Sequence, residues 1–144
     1  MGRRRAREVA LQILYQVDLT GAPPEEACSF LPEVTFVEEK DLAFARELVF
    51  GTLAHREALD RVIAGLSHDW PLYRMAAVDR NIMRLALYEI FHREDIPNSV
   101  AVNEAVELAK TFGGHDSSRF VNGILGQVVK DPGRFLAAFE GEGK

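Results

Sequence analysis

The chain has 144 residues, 47% hydrophobic and 27% charged, the profile of one globular domain long enough to bury a core. Seventeen basic against 22 acidic residues leave a net charge of −5, and a lone cysteine, Cys28, excludes an internal disulfide framework and fits a reducing cytoplasm. Apolar runs stop well short of the roughly 20 residues a membrane span needs, and amphipathic sequence follows the basic start where a signal peptide would be apolar.

The charge is uneven from the first residues. Arg3, Arg4, Arg5 and Arg7 crowd into R-R-R-A-R-E, while the 136 residues after Glu8 hold 13 basic and 21 acidic side chains, net −8. A basic tip on an acidic body points to an anionic partner held in one orientation, with nucleic acid the leading candidate. Ala6, Val9, Ala10, Ile13, Leu14 and Val17 follow the i, i+3, i+4, i+7 rule and predict an amphipathic helix over 6–19. Its start lacks a Ser, Thr, Asp or Asn cap, and four cations face the positive end of the helix dipole, each unfavourable by on the order of 0.3–1 kcal/mol if exposed. Free N–H groups plus guanidinium forks make such a start a ready phosphate site. A solvated basic start with no partner is the plainer alternative.

Thr20-Gly21-Ala22-Pro23-Pro24 is a stop and turn. A short helix is expected over 25–31, ending before Pro32. Residues 38–50 are helical by the spacing of Leu42, Ala45, Leu48 and Val49, with a weak point over 51–55, and the pattern resumes over 57–66. Residues 67–70 form a linker, and Pro71 opens a short helical turn. Val78, Ile82, Leu85, Ala86 and Tyr88 to Ile90 give 78–92 a wide apolar face. After the Asp95-Ile96-Pro97-Asn98 break, Asn98 or Ser99 caps a helix over 100–111 that stops at Gly113-Gly114. Asp116 or Ser117 caps the last main helix, with core positions Phe120, Val121, Ile124, Leu125 and Val128. Pro132 opens a short helix with Phe135, Leu136 and Phe139, and residues 141–144 read as frayed. No segment alternates with period two, so the chain is expected to be all-α, about seven helices with short connections.

The search for catalytic chemistry is largely negative. Gly113-Gly114-His115-Asp116 lacks the Lys-Ser/Thr of a phosphate loop, and His55, His68, His92 and His115 are too scattered to suggest a metal site. Cys28 reads as a small packing residue, and most carboxylates as solvated helix faces. His115 and Asp116 in a glycine-rich loop are a weak acid–base candidate, because a cap explains Asp116 without chemistry. Phe120 at a helix start is a surface on which a base could stack, although its place in the apolar stripe favours a core role. Tyr15, Asp79, Arg84 and Glu89 stand on helices otherwise committed to packing. Together they would make a docking face with an aromatic anchor and charged rim; scattered, an ordinary surface.

Four blocks in order resemble the NusB family of transcription antitermination factors. They are R-R-R-A-R-E-V-A-L-Q-I-L-Y-Q at 3–16, D-R-N-I-M-R-L-A-L-Y-E-I at 79–90, I-P-N-S-V-A-V-N-E-A-V-E-L-A-K-T-F-G at 96–113 and D-S-S-R-F-V-N-G-I-L at 116–125. The likeness spans nearly the whole chain; residues 20–36 and the tail after Val129 match less closely. It implies a single domain of two three-helix subdomains, 1–66 and 71–139, with no enzymatic activity and no cofactor or metal. Proteins similar to this one bind boxA RNA, a single-stranded element of ribosomal RNA leaders, together with the ribosomal protein NusE. They join an RNA polymerase elongation complex with other Nus factors. On that resemblance Arg3, Arg4, Arg5, Arg7, Asp116 and Phe120 fall at RNA-binding positions. Tyr15 and Asp79 fall on the NusE-facing side, with Arg84 and Glu89 nearby. A soluble cytoplasmic protein with no membrane contact is expected. Two other readings stay open: the RNA-positioning domain of a ribosomal RNA cytosine methyltransferase, and a protein-only helical scaffold, with a homodimer through the first helix.

Overall fold

The structure is a computed structural model that describes residues 2–34, 38–67 and 70–139, with side chains throughout except at 2 and 30–34. Among the described residues there are seven α-helices: α1 (Gly2–Thr20), α2 (Pro24–Val34), α3 (Glu39–Ala54), α4 (Arg56–Leu66), α5 (Ala77–His92), α6 (Asn98–Phe112) and α7 (Ser117–Lys130). Two 3-10 segments, Leu72–Arg74 and Pro132–Phe139, complete them. The architecture is all-α, as the 3.6-residue periodicity requires. His68 and residues 141–144 lie outside the described residues.

The helices pack as two trios, α1–α2–α3 and α5–α6–α7, with α5 also against α1, α3 and α4. Their apolar stripes merge into one core, which runs from Val9, Ile13 and Leu14 of α1 through Leu48 of α3 and Ile82 and Leu85 of α5 to Leu125 of α7. Because α5 touches both trios, it is buried from Asn81 to Glu89 without a break. Among the described residues no helix is long and apolar enough to cross a membrane.

Three boundaries differ from the sequence expectation. Helix α1 begins at Gly2 and not near Ala6, so the arginines project from helical backbone. Helix α2 runs past Pro32 to Val34; a proline in the last turn forfeits a single backbone bond. Helix α3 continues through Gly51 to Ala54, because Gly51 is a packing glycine: a Cβ there would overlap the Tyr88 ring of α5. In the second 3-10 segment Phe135 and Phe139 pack on the core while Leu136 is exposed.

Two polar clusters set the relation of α1 to α5. Near the α1 start, Arg7 donates to both carboxylate oxygens of Glu89, with Nη2 to Oε1 at 2.6 Å. Near its end, Asp18 Oδ2 accepts from Arg80 Nη2 at 2.7 Å, Asn81 Nδ2 at 2.9 Å and Arg84 Nη1 at 3.3 Å. Arg84 carries the network to α4 through a fork on Asp60, at 2.6 and 2.9 Å. The helices therefore run antiparallel.

Candidate nucleic-acid interface

The four arginines do not act as one group. Arg3 and Arg4 are about half exposed, at 51% and 52% of their side chains, and Arg5 is 38% exposed. Arg7 is 5% exposed, sealed between Glu89 and, at 3.7 Å, Glu104. Arg7, expected at an RNA-binding position, is placed with its hydrogen-bonding edge turned inward onto a buried carboxylate. Arg4 forks onto Glu104, with Nε at 3.1 Å and Nη2 at 2.7 Å, and that hydrogen bond holds the Glu104 carboxyl below its usual range. Burial pushes Glu89 the other way, above its usual range, against the pull of Arg7.

Arg3 lies 4.5 Å from the centre of the Phe44 ring and pairs loosely with Asp95 at 3.7 Å. Arg93 approaches the same ring at 5.1 Å, so α3 supplies an aromatic platform for cations from two other segments. Arg5 reaches Glu8 at 3.3 Å along its own helix. Together Arg3, Arg4 and Arg7 line an open groove of about 510 Å³ with the carboxylates of Asp95 and Glu104 and with Ile96, Pro97 and Val100. The helix has no acidic residue in its first turn, so its dipole adds to the positive potential there.

A second groove, of about 390 Å³, lies at the other end of α5. It is lined by Trp70, Asp79, His115, Asp116, Ser117 and Phe120. Asp116 precedes α7, but its side chain makes no capping hydrogen bond; Ser117 Oγ accepts from the Gly114 N–H at 2.8 Å. The carboxylate of Asp116 is left exposed in the groove. Phe120 is half-buried, packed against the core on one side and open to the groove on the other. Both roles weighed for this ring are compatible with that position.

Of the residues expected on the protein-partner side, Tyr15 is exposed, at 38%, with Leu19 a turn further on. Asp79 is nearly buried, opens onto the groove of Asp116 and Phe120, and keeps one carboxylate oxygen without a hydrogen bond. Arg84 and Glu89 are 6% and 1% exposed, and each is spent on a partner within the fold. Ten residues separate Asp79 from Glu89, about 15 Å along α5. The arginine groove and the Phe120 groove are thus distinct sites.

Residue spacing alone does not single out Trp70, Phe44 or Glu104. Trp70, half exposed in a linker, was visible as a lone tryptophan outside any apolar stripe. Phe44 and Glu104 carry no local signal, because their meaning depends on α1 being beside them.

This is a helical fold of the antitermination-factor class, and comparisons make the assignment specific. The NusB family model matches residues 4–130. The "Transcription antitermination protein NusB" of Pelotomaculum thermopropionicum is 58% identical over 98% of each chain, and that of Desulforudis audaxviator 57% identical over 92% of this chain and 96% of its own. Among solved structures, T. maritima NusB superposes with a TM-score of 0.81 at 33% identity, covering 94% of this chain and 96% of that one. A crystal structure of the antitermination factors NusB and NusE in complex with dsRNA gives a TM-score of 0.80 at 27% identity, covering 90% and 96%. The chain belongs to the NusB family.

Proposed function

We propose that this chain is an RNA-binding transcription antitermination factor. It holds boxA-type single-stranded RNA of ribosomal RNA leaders together with the ribosomal protein NusE, in the cytoplasm, as part of an RNA polymerase elongation complex. The observation that carries the proposal is the arginine groove. An acidic protein presents Arg3, Arg4 and Arg5 on a helix start without acid, beside a groove wide enough for a backbone. Guanidinium forks position phosphates, and the selection of bases falls to the second groove. There an unpaired base stacks on Phe120 or Trp70 while Asp116 and Asp79 accept from its amino or imino groups. The relative solved with NusE carried dsRNA; exposed rings in an open groove favour unpaired bases, which a duplex would keep stacked. Tyr15 and Leu19 form the exposed apolar part of α1 that would face NusE.

The test is titration of a boxA-like single strand, a scrambled strand and a duplex, each with and without NusE. Tighter binding of the boxA strand, raised further by NusE and lost on Phe120→Ala, is expected. Equal affinity for boxA and scrambled strands in the presence of NusE would sink the proposal. Sedimentation across protein concentration separates it from a homodimeric scaffold.

A further inference from the structure

Three guanidinium groups gather around the Phe44 ring of α3, and they are not equivalent. Arg7, at 5.8 Å from the ring centre, is closed on the buried Glu89. Arg93, at 5.1 Å, is spent on two carboxylates. It forks onto Asp95 at 2.9 Å twice, and its Nη1 donates to Glu47. Arg3 comes nearest, with its guanidinium carbon over the ring at 4.5 Å, and half of its side chain is exposed. Among the described residues it donates no hydrogen bond; its nearest anion is Asp95 Oδ2 at 3.7 Å, the oxygen that already takes Arg93 Nη2.

We propose that Arg3 backed by Phe44 is a stacking platform for one unpaired nucleobase, on the side of the arginine groove away from Phe120. The inference rests on the RNA-binding function above. A guanidinium has two separate uses: its N–H edge pairs with phosphate, and its face stacks on a planar ring. Unpaired bases stack on guanidinium planes as they do on aromatic side chains. Phosphate binding needs no ring behind the cation, and a lysine would serve. Phe44 instead covers one side of the group and restricts it before any ligand arrives, which lowers the entropy lost when a base settles on the open side. Asp95 fits the same ligand: a carboxylate accepts from the amino or imino group of a base edge but repels a phosphate.

The platform also lies where a further base would fall. Arg3 and Asp95 line the arginine groove and Phe44 does not, so the stack stands at the margin of that groove, towards α3. Arg93, which anchors its edge, is fourteen residues from Asp79, about 21 Å along α5. The base is therefore at the far end of the molecule from the Phe120 groove, and it adds a contact that neither groove supplies.

The experiment is anisotropy titration of the full chain with a labelled boxA-like single strand extended at both ends, intact and with each base in turn removed from its sugar. Arg3→Lys keeps the charge and loses the plane, so it should weaken binding of the intact strand about fivefold with no change in the slope of log affinity against log salt. Phe44→Leu should do the same and Phe44→Tyr should bind as wild type, with circular dichroism to confirm folding; if Phe44→Leu does not fold, Arg3→Lys carries the test. One abasic position should cost the wild type about fivefold and cost Arg3→Lys nothing further. If no position separates the two proteins in this way, or Arg3→Lys binds the intact strand as wild type, while Arg3→Ala with Arg5→Ala weakens binding, Arg3 serves phosphate alone and this proposal is overturned by itself. Unchanged binding by the Arg3 and Arg5 variant would overturn the RNA-binding function as well.

Discussion

Replacing Arg3 and Arg5 by Ala should flatten the salt dependence of RNA binding by about 1.4, and replacing Arg7 should not flatten it at all. For single strands each phosphate neutralised contributes about −0.7 to the slope of log affinity against log salt, so four free arginines would contribute roughly −2.8. The structure divides the four. Arg7 is sealed on Glu89, and Arg4 must leave a two-point contact with Glu104 before it can take a phosphate. Arg3 pairs with Asp95 at 3.7 Å beside the Phe44 ring and Arg5 with Glu8 at 3.3 Å, ion pairs at partly exposed positions of the kind worth about 0–1 kcal/mol. The helix start should therefore contribute about −1.4, rising to about −2.1 if Arg4 exchanges its carboxylate for phosphate. The assay is anisotropy of a labelled boxA-like strand over a series of potassium chloride concentrations, with circular dichroism to confirm folding. A folded Arg7→Met variant whose slope falls as far as that of the Arg3 and Arg5 variant would refute the assignment of Arg7 to the fold.

Four further outcomes follow from the same geometry. Arg7→Met leaves Glu89 buried without its partner and should cost about 3–5 kcal/mol in urea denaturation at neutral pH, with much of the loss recovered by adding Glu89→Leu. With Arg7 gone, a carboxyl already pushed up by burial binds its proton more readily folded than unfolded, so the deficit of that variant should shrink as pH falls towards the unfolded value of about 4.5. Burial pushes Asp18 up, but hydrogen bonds from Arg80 and Asn81 and the Arg84 charge prevail and hold it below its usual range. Its contribution is thus complete above the unfolded value of about 3.8 and is lost as pH falls through the native value; Asp18→Asn should cost about 1–3 kcal/mol at neutral pH, with the gap closing on acidification. Gly51→Ala gains up to about 1 kcal/mol of helix propensity but overpacks Tyr88 by about 1–3 kcal/mol, so melting should show a net loss that reverses sign in a Tyr88→Leu background. Glu104→Gln frees Arg4 and removes an anion from the groove; RNA titration should show tighter binding and a slope steeper by about 0.7.

The helices were legible in the sequence because an amphipathic helix writes its period into the chain, and the stripes of the seven described helices merge into one core. Part of the site was legible by the same rule and was missed. Arg7 stands in register with Leu11 and Leu14, and Glu89 with Ile82 and Leu85, all of them buried. Opposite charges on two apolar stripes imply that they meet, since neither is tolerated alone in a core. Counting charges in the first turn hid that signal, because composition ignores which face of the helix a residue occupies. Glu104 and Phe44 could not be found this way. Both lie on partly exposed faces, where a carboxylate or a ring is unremarkable until another helix is placed against it.

The division among the arginines also explains how an acid-free helix start stays folded. Its first turn carries no acidic residue to offset the dipole, and like charges crowd it. What holds it is tertiary: Arg7 clasps Glu89 of α5, Arg4 forks onto Glu104 of α6, and Arg3 rests on Phe44 of α3. Each contact ties the same turn to a different helix, so the turn is fixed in position and orientation before any ligand arrives. A phosphate-binding surface made of a free basic tail would have to order its backbone on binding, at about 1–2 kcal/mol per residue. Here that cost falls on folding, where the core offsets it, and the exposed guanidinium groups meet the RNA already aligned. Arg7 is one of three such anchors, and with Arg3 and Arg4 making their own contacts to α3 and α6 its loss should weaken the fold more than the alignment of the exposed groups.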